Sequence, residues 1–251
     1  MEYAHLSETV KIKKVSETET EGVFEIDGLY VGYGLTLGNA LRRILLSSLP
    51  GAAITQVKIK GVKHEFSTIP GVKEDIIEII LNLKKVRFKF YADEPQILSL
   101  RVKGEKNVCA SDIEKNSLSQ IVNPDTHILT LTSKSASVEM EITVEKGLGY
   151  VPVENRKTEK LPVGVVAIDA FFTPVINVNY TIENMRVGER TDYNKLKIFI
   201  TTDGSIAPSN ALHKSANILK DHIEKVSQIE VMTMEKEVKV SRKKVKKKKE
   251  K

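Results

Sequence analysis

Thr36–Pro50 reads TLGNALRRILLSSLP. Its apolar residues, Leu37, Ala40, Leu41, Ile44 and Leu45, recur at helical spacing, which predicts an amphipathic helix. Thr36 is its expected N-cap, and Pro50-Gly51 its expected stop. On a wheel of roughly 100° per residue, the apolar residues fill one broad face. Asn39, Arg42, Arg43 and Leu46 fall on the other, toward water. A leucine one turn from two arginines has two readings. It is a lone exposed leucine of the kind common on monomers, or the apolar knob of a second docking face flanked by guanidinium forks.

The glycines before this helix, Gly32 and Gly34, follow a G-x-G-x-x-x-G spacing with no Lys-Ser/Thr pair after it. That matches neither a dinucleotide fingerprint nor a Walker loop, so tight turn packing is expected. Gly38 within the helix costs roughly 1 kcal/mol against alanine and leaves room for a close helix approach, which the sequence does not show.

Alternation predicts strands on either side. Val10–Val15 and Gly22–Val31 precede the helix, and Ile54–Gly61 follows it. Pro70–Leu83 repeats the helical pattern through Val72, Ile76, Ile79, Ile80 and Leu83. Val86, Phe88 and Phe90 then alternate. Residues 95–145 are almost purely β, with Ile97–Val102, His127–Thr132 and Ser137–Val144 of period two. Gly147–Pro152 is a loop signal and Glu154–Lys160 a polar surface segment. Val163–Phe172 is apolar enough for a buried strand, and Ile176–Ile182 and Leu196–Thr201 are further strands. A last helix starts at Pro208. Its residues Leu212, Ala216, Leu219, Ile223 and Val226 step by four and three, a coiled-coil-like seam. Either the seam lies across the chain's own sheet, or it builds a helical bundle with a second copy.

The chain has 251 residues, 41% of them hydrophobic, enough for a sizeable core. No apolar run approaches the roughly 20 residues of a membrane span. One cysteine, Cys109, permits no intrachain disulfide, and an intracellular setting is expected. Lys236–Lys251 holds ten Lys/Arg and two Glu, a net +8, so the formal +6 of the whole chain leaves −2 on residues 1–235. The basicity sits in the tail, which argues against a nucleic-acid-binding body.

Catalytic chemistry is not legible. The five histidines, His5, His64, His127, His213 and His222, have no ligand spacing. His64-Glu65 opens like a zinc-protease signature, but Thr68 stands where the second histidine belongs. No metal site, cofactor or catalytic residue is expected. An enzyme with a hidden site would turn over substrate alone; a free-standing nucleic-acid binder would show salt-sensitive DNA binding by the isolated chain.

Five stretches carry a family resemblance. They are Gly34–Gly51 (GLTLGNALRRILLSSLPG), Gly61–Lys84 (GVKHEFSTIPGVKEDIIEIILNLK), Gly147–Pro152 (GLGYVP), Val187–Leu196 (VGERTDYNKL) and Thr202–Gly204. In order across roughly residues 5–230, the chain resembles the α subunits of bacterial-type DNA-directed RNA polymerase. The resemblance implies an α+β fold in two subdomains. An α/β dimerisation subdomain spans residues 1–50 and 176–232, a mainly β insert spans 51–175, and residues 233–251 form a basic tail. It implies a non-catalytic member of a nucleotidyltransferase: a homodimer on which the β and β′ subunits assemble, with ω and σ in the holoenzyme. Arg43 and Leu46 match family positions that hold β, with Asn39 and Arg42 on the same face, and Lys84 matches a position that contacts β′. Leu37, Leu41, Ile44, Leu45, Leu212, Ala216, Leu219, Ile223 and Val226 are the expected dimer interface. The implied location is cytoplasmic, with plastid stroma as the alternative. Family members usually continue into a small helical DNA-binding domain, where this sequence has Arg242–Lys251. That run is either a solvated charge run or a non-specific DNA- or RNA-backbone contact near the promoter; in the second case deleting Val240–Lys251 changes the salt dependence of promoter binding by the assembled enzyme.

Overall fold

A computed structural model describes residues 6–62, 64–156, 162 and 164–229. The elements run β1 (Lys11–Glu17), β2 (Glu21–Leu29), α1 (Tyr33–Ser47), β3 (Pro50–Ile59), α2 (Ile76–Leu83), β4 (Phe88–Phe90), β5 (Gln96–Lys103), β6 (Lys106–Cys109), β7 (Ser119–Ile121), β8 (His127–Leu131), β9 (Ser137–Leu148), β10 (Tyr150–Val151), β11 (Val165–Ala167), β12 (Ala170–Phe171), β13 (Val175–Val187), β14 (Arg190–Thr202) and α3 (Pro208–Ser227). Among the described residues strands dominate and α-helices are three, the mixed α+β composition that the resemblance implies. No described helix is long and apolar enough to cross a membrane.

Two antiparallel four-stranded sheets organise the molecule, ordered β1-β2-β14-β13 and β11-β3-β9-β5. The first carries α1 and α3 on one face. Phe24 and Ile26 of β2 and Leu196, Ile198 and Ile200 of β14 point into that face, and Leu41, Leu45 and Leu49 meet them there. The second sheet buries Val138, Met140, Ile142 and Val144 of β9 together with Ile76, Ile79 and Leu83 of α2. Alternation in the sequence therefore translates into one buried side per strand. The outer side of β9 carries an ionic ladder instead, with Lys60 2.9 Å from Glu139 and Lys58 3.3 Å from Glu141.

Several boundaries differ from expectation, each for a local reason. The first helix begins at Tyr33, not after Thr36. Asn194 of β14 reaches its start, and its Oδ1 accepts the N–H groups of Gly32 at 3.0 Å and Gly34 at 3.4 Å. Two of the donors that a helix start leaves unpaired are thus satisfied from another strand. Thr36 lies inside the first turn and donates its hydroxyl to the Gly32 carbonyl oxygen. At Gly38 the close neighbours are strands and not a second helix: a Cβ there would stand 3.0 Å from Leu196 Cδ1 of β14 and from the Tyr180 ring of β13.

The second helix is confined to Ile76–Leu83. Asp75 caps it, accepting the Glu78 N–H at 2.7 Å. Residues before it are held by strand β8 instead: Val72 bridges Leu131, and the buried Glu74 carboxylate accepts the Thr130 N–H at 2.7 Å and the Thr130 hydroxyl at 2.9 Å. His127 Nε2 lies 3.0 Å from the same carboxylate. Burial pushes the Glu74 carboxyl up, but these hydrogen bonds outweigh it and hold it below the usual carboxylate range.

Leu148 and Tyr150–Val151, read as loop, extend β9 and form β10. The apolar run Val163–Phe172 divides into β11 and β12. Strands β13 and β14 form a hairpin far longer than their apolar cores, because β13 is an edge strand whose outer residues are solvated and show no alternation. The basic tail and residues 157–161 lie outside the described residues.

Candidate partner-docking surface

Helix α1 separates its two faces by burial. Gly34, Gly38, Leu41 and Leu45 are buried, while Asn39, Arg42 and Arg43 are exposed. The three polar residues do not play equal parts. Arg42 folds back, and its Nε donates to the Val178 carbonyl oxygen of β13 at 3.1 Å. Its guanidinium is committed to the chain's own edge strand. Arg43 makes no side-chain hydrogen bond or ion pair among the described residues, and neither does Asn39 one turn before it. Leu46 is not fully outward, as the wheel suggested; it is half-buried against the helical core beside Thr173, which donates to its carbonyl oxygen. The free fork of this face is therefore Arg43, with Asn39 beside it and Leu46 at its inner rim.

Of the residues expected at a dimer interface, Leu41 and Leu45 are 6% and 0% exposed in the chain's own core. They are not available to a second copy, because the sheet takes up the centre of the apolar face of α1. Leu37, Ile44, Leu212 and Leu219 are half-buried at its margin, and Ala216 is exposed. The distal half of α3 is different. Beyond Lys220 no described residue is buried, and Ile223, Val226 and Ile229 are 57%, 72% and 75% exposed. The seam thus runs from the core out into solvent.

Lys84 closes α2, but it is not free. Its Nζ lies 3.0 Å from Asp169 Oδ2, with about a quarter of the side chain exposed. Asp169 also accepts the Val153 N–H at 3.0 Å. The Lys84 ammonium and that N–H hold the Asp169 carboxyl below the usual carboxylate range. An approaching partner meets this lysine as half of an ion pair.

The Val187–Leu196 stretch, which the sequence offered without a role, fixes the start of α1. Besides the Asn194 cap, Arg190 forms a bidentate pair with Asp192 at 3.0 and 2.7 Å. Its guanidinium also lies 5.0 Å from the Tyr30 ring centroid and 5.6 Å from that of Tyr193. Asn194 is 8% exposed, a buried polar residue in a strand, and such residues signal a tertiary hydrogen bond that periodicity cannot assign. Among the described residues no group of three or more His, Cys, Asp or Glu side chains is placed to hold a metal ion.

Comparison with known proteins agrees with this architecture. The RNA polymerase Rpb3/RpoA insert domain family matches residues 57–173, the stretch that holds the β11-β3-β9-β5 sheet from mid-β3 onward. The chain is 48% identical over 235 residues to the DNA-directed RNA polymerase subunit alpha of Alkaliphilus oremlandii, covering 91% of this chain and 74% of that one. Against the subunit alpha of Symbiobacterium thermophilum the identity is 51% over 219 residues, with 86% and 69% covered. For Roseiflexus castenholzii it is 50% over 227 residues, with 90% and 70% covered. With the insert-domain match and these relatives in agreement, the chain belongs to the family of DNA-directed RNA polymerase α subunits.

Proposed function

We propose that this α subunit works as one half of a homodimer whose two copies offer the outward face of α1 to the β and β′ subunits. The observation that carries the reading is the distal half of α3. Ile223 and Val226, one helical turn apart, and Ile229 just past the helix end stand in water, and each fully buried would contribute about 1.5–3 kcal/mol. An isolated exposed leucine needs no explanation, but a stripe continuous with the core marks a surface meant to be covered. A two-fold axis lets the same stripe cover itself. Bacterial relatives favour a cytoplasmic setting over a plastid one, and ω and σ join at the level of the holoenzyme.

Arg43 is the residue best placed to hold β, because its fork is unspent, whereas Arg42 is spent on Val178. The test is co-purification of β with the full chain, beside Arg43→Ala. Wild type retains β, and the variant loses about 2 kcal/mol of affinity while remaining dimeric. Equal retention by both would remove Arg43 from the anchor role. Failure of wild type to bind β would remove the scaffold reading itself.

A further inference from the structure

The two cores meet at a cleft of about 360 Å³. The chain passes from one core to the other at Pro50–Ala52 and returns at Phe172–Val175, and the two crossings lie against each other. A Cβ on Gly51 would overlap the Phe172 carbonyl oxygen, so the outgoing strand passes with no side chain between it and the returning one. This closely set crossing, with Pro50 and Pro174 on either side, forms the back of the cleft.

Its walls have a definite chemistry. Lys89 of β4 and Lys146 of β9 come from the insert, and Lys214 of α3 comes from the helical part; no acidic side chain lines the cleft. Lys146 has Asp93 at 3.0 Å, on a side chain that is 93% exposed. Lys89 and Lys214 have no ion pair among the described residues. Asp203, on the same loop as the lining Ser205, is already engaged by the Ser205 N–H at 2.9 Å and by Arg87 at 3.9 Å. Three lysines from two bodies line the cleft, two of them without an ion pair, and they raise the local potential and favour an anion. Beside them stands Tyr91, 65% exposed, while Phe90 next to it is half-buried against the insert core. An exposed aromatic ring next to unpaired lysines, at a junction between two cores, is the composition of a site for a planar ring carrying phosphates.

We propose that this cleft binds a nucleoside triphosphate, its base against Tyr91 and its phosphates among Lys89, Lys146 and Lys214. Because the lysines come from both cores, the bound nucleotide ties the insert to the helical part, and the liganded chain melts at a higher temperature.

Isothermal titration of the full chain with ATP, adenosine and tripolyphosphate, at constant ionic strength, tests this. ATP binds more tightly than either fragment, Lys89→Glu with Lys214→Glu weakens ATP by about tenfold or more, and Tyr91→Ala weakens ATP but leaves tripolyphosphate unchanged. Tripolyphosphate binding as tightly as ATP would show a bare anion site and overturn the nucleotide assignment. ATP binding that survives the double charge reversal would place it elsewhere, on the Lys-rich tail, and overturn the cleft. Absence of ATP binding overturns both. Should the double variant lose its unliganded melting transition, Tyr91→Ala decides alone, since its contrast between ATP and tripolyphosphate does not depend on the lysines.

Discussion

The insert and the helical part of this chain reach stability by different routes. Among the described residues, 25 buried apolar side chains make the core around the β11-β3-β9-β5 sheet, and 12 make the core under α1 and α3. The first core is the larger and is filled by its own strands and helix, although α2 shows Ile77 and Leu81 at 41% and 52% exposure on its outer side. Its strands alternate cleanly and its helix is capped by its own Asp75. The second is open at one end, where α3 leaves the sheet with Ile223 and Val226 in solvent and Ile229 follows just past its end. On the proposed homodimer reading, one region is finished by its own residues and the other by association. That division would suit a scaffold subunit: a body that keeps its shape alone, attached to a surface for a second copy to cover.

The sharpest way to break this comparison is to charge the open end. Ile223→Asp with Val226→Asp places four carboxylates across a two-fold seam, at a cost of roughly 5 kcal/mol or more if they remain buried. The expected outcome in sedimentation is a folded monomer. A variant that stays dimeric at micromolar concentration would move the interface away from α3. The insert core gives the opposite result. Ile142→Ala, at a fully buried position of β9, costs about 2–5 kcal/mol through lost transfer energy and a cavity. It lowers the melting temperature and leaves the mass of the assembled species unchanged.

Much of this division is legible in the sequence because it is written in period. The 4-3-4-3 steps of α3 and the alternation of β9 each specify one face. The family resemblance adds which faces meet partners, and there the structure refines it. Arg42 and Arg43 are adjacent and chemically identical, and no pattern tells that one bonds to Val178 while the other is free. Leu41 and Leu45 belong to a perfect helical stripe, yet a stripe does not say whether the chain's own sheet or a second copy covers it. Lys84 closes its helix as the dipole favours, but its partner Asp169 lies 85 residues away. What periodicity leaves out is long-range polar pairing.

Asn194 is the case where that omission matters most for function. It holds the start of α1 from 160 residues away, and α1 presents Arg43. Asn194→Ala leaves the Gly32 and Gly34 N–H groups without their acceptor, and the expected loss is about 1–2 kcal/mol, in the range of a helix cap. Hydrogen exchange at the first turn of α1 should rise while exchange in the insert does not. Equal acceleration in both regions would mean that the two cores unfold as one unit, and the contrast between them would have to be abandoned.

The smallest effect concerns how α3 is anchored before it leaves the core. Glu17 of β1 accepts the Ser209 N–H at 2.8 Å, in the first turn of α3, and also pairs with Lys14 at 2.9 Å. The carboxylate meets the partial positive charge of the helix start. Its hydrogen bonds with Ser209, and then the one with Lys14, lower its pKa from 4.5 to about 2. The depressed value means that the folded state binds this proton less readily than the unfolded chain. The stability it contributes is therefore complete above pH 4.5 and disappears as the pH falls toward about 2. Glu17→Gln keeps an acceptor oxygen and removes the charge, at a cost of about 0.5–1 kcal/mol at neutral pH. The difference between wild type and variant should close below pH 4.5, where the wild-type carboxylate begins to lose its advantage. Because the distal seam is built on the same helix, a slightly looser anchor also weakens dimerisation at neutral pH, and by less than the aspartate substitutions do. A variant with unchanged stability across that pH range would mean that α3 is held by Ala211 and Ser215 packing on the sheet alone, and that its first turn needs no charge from β1.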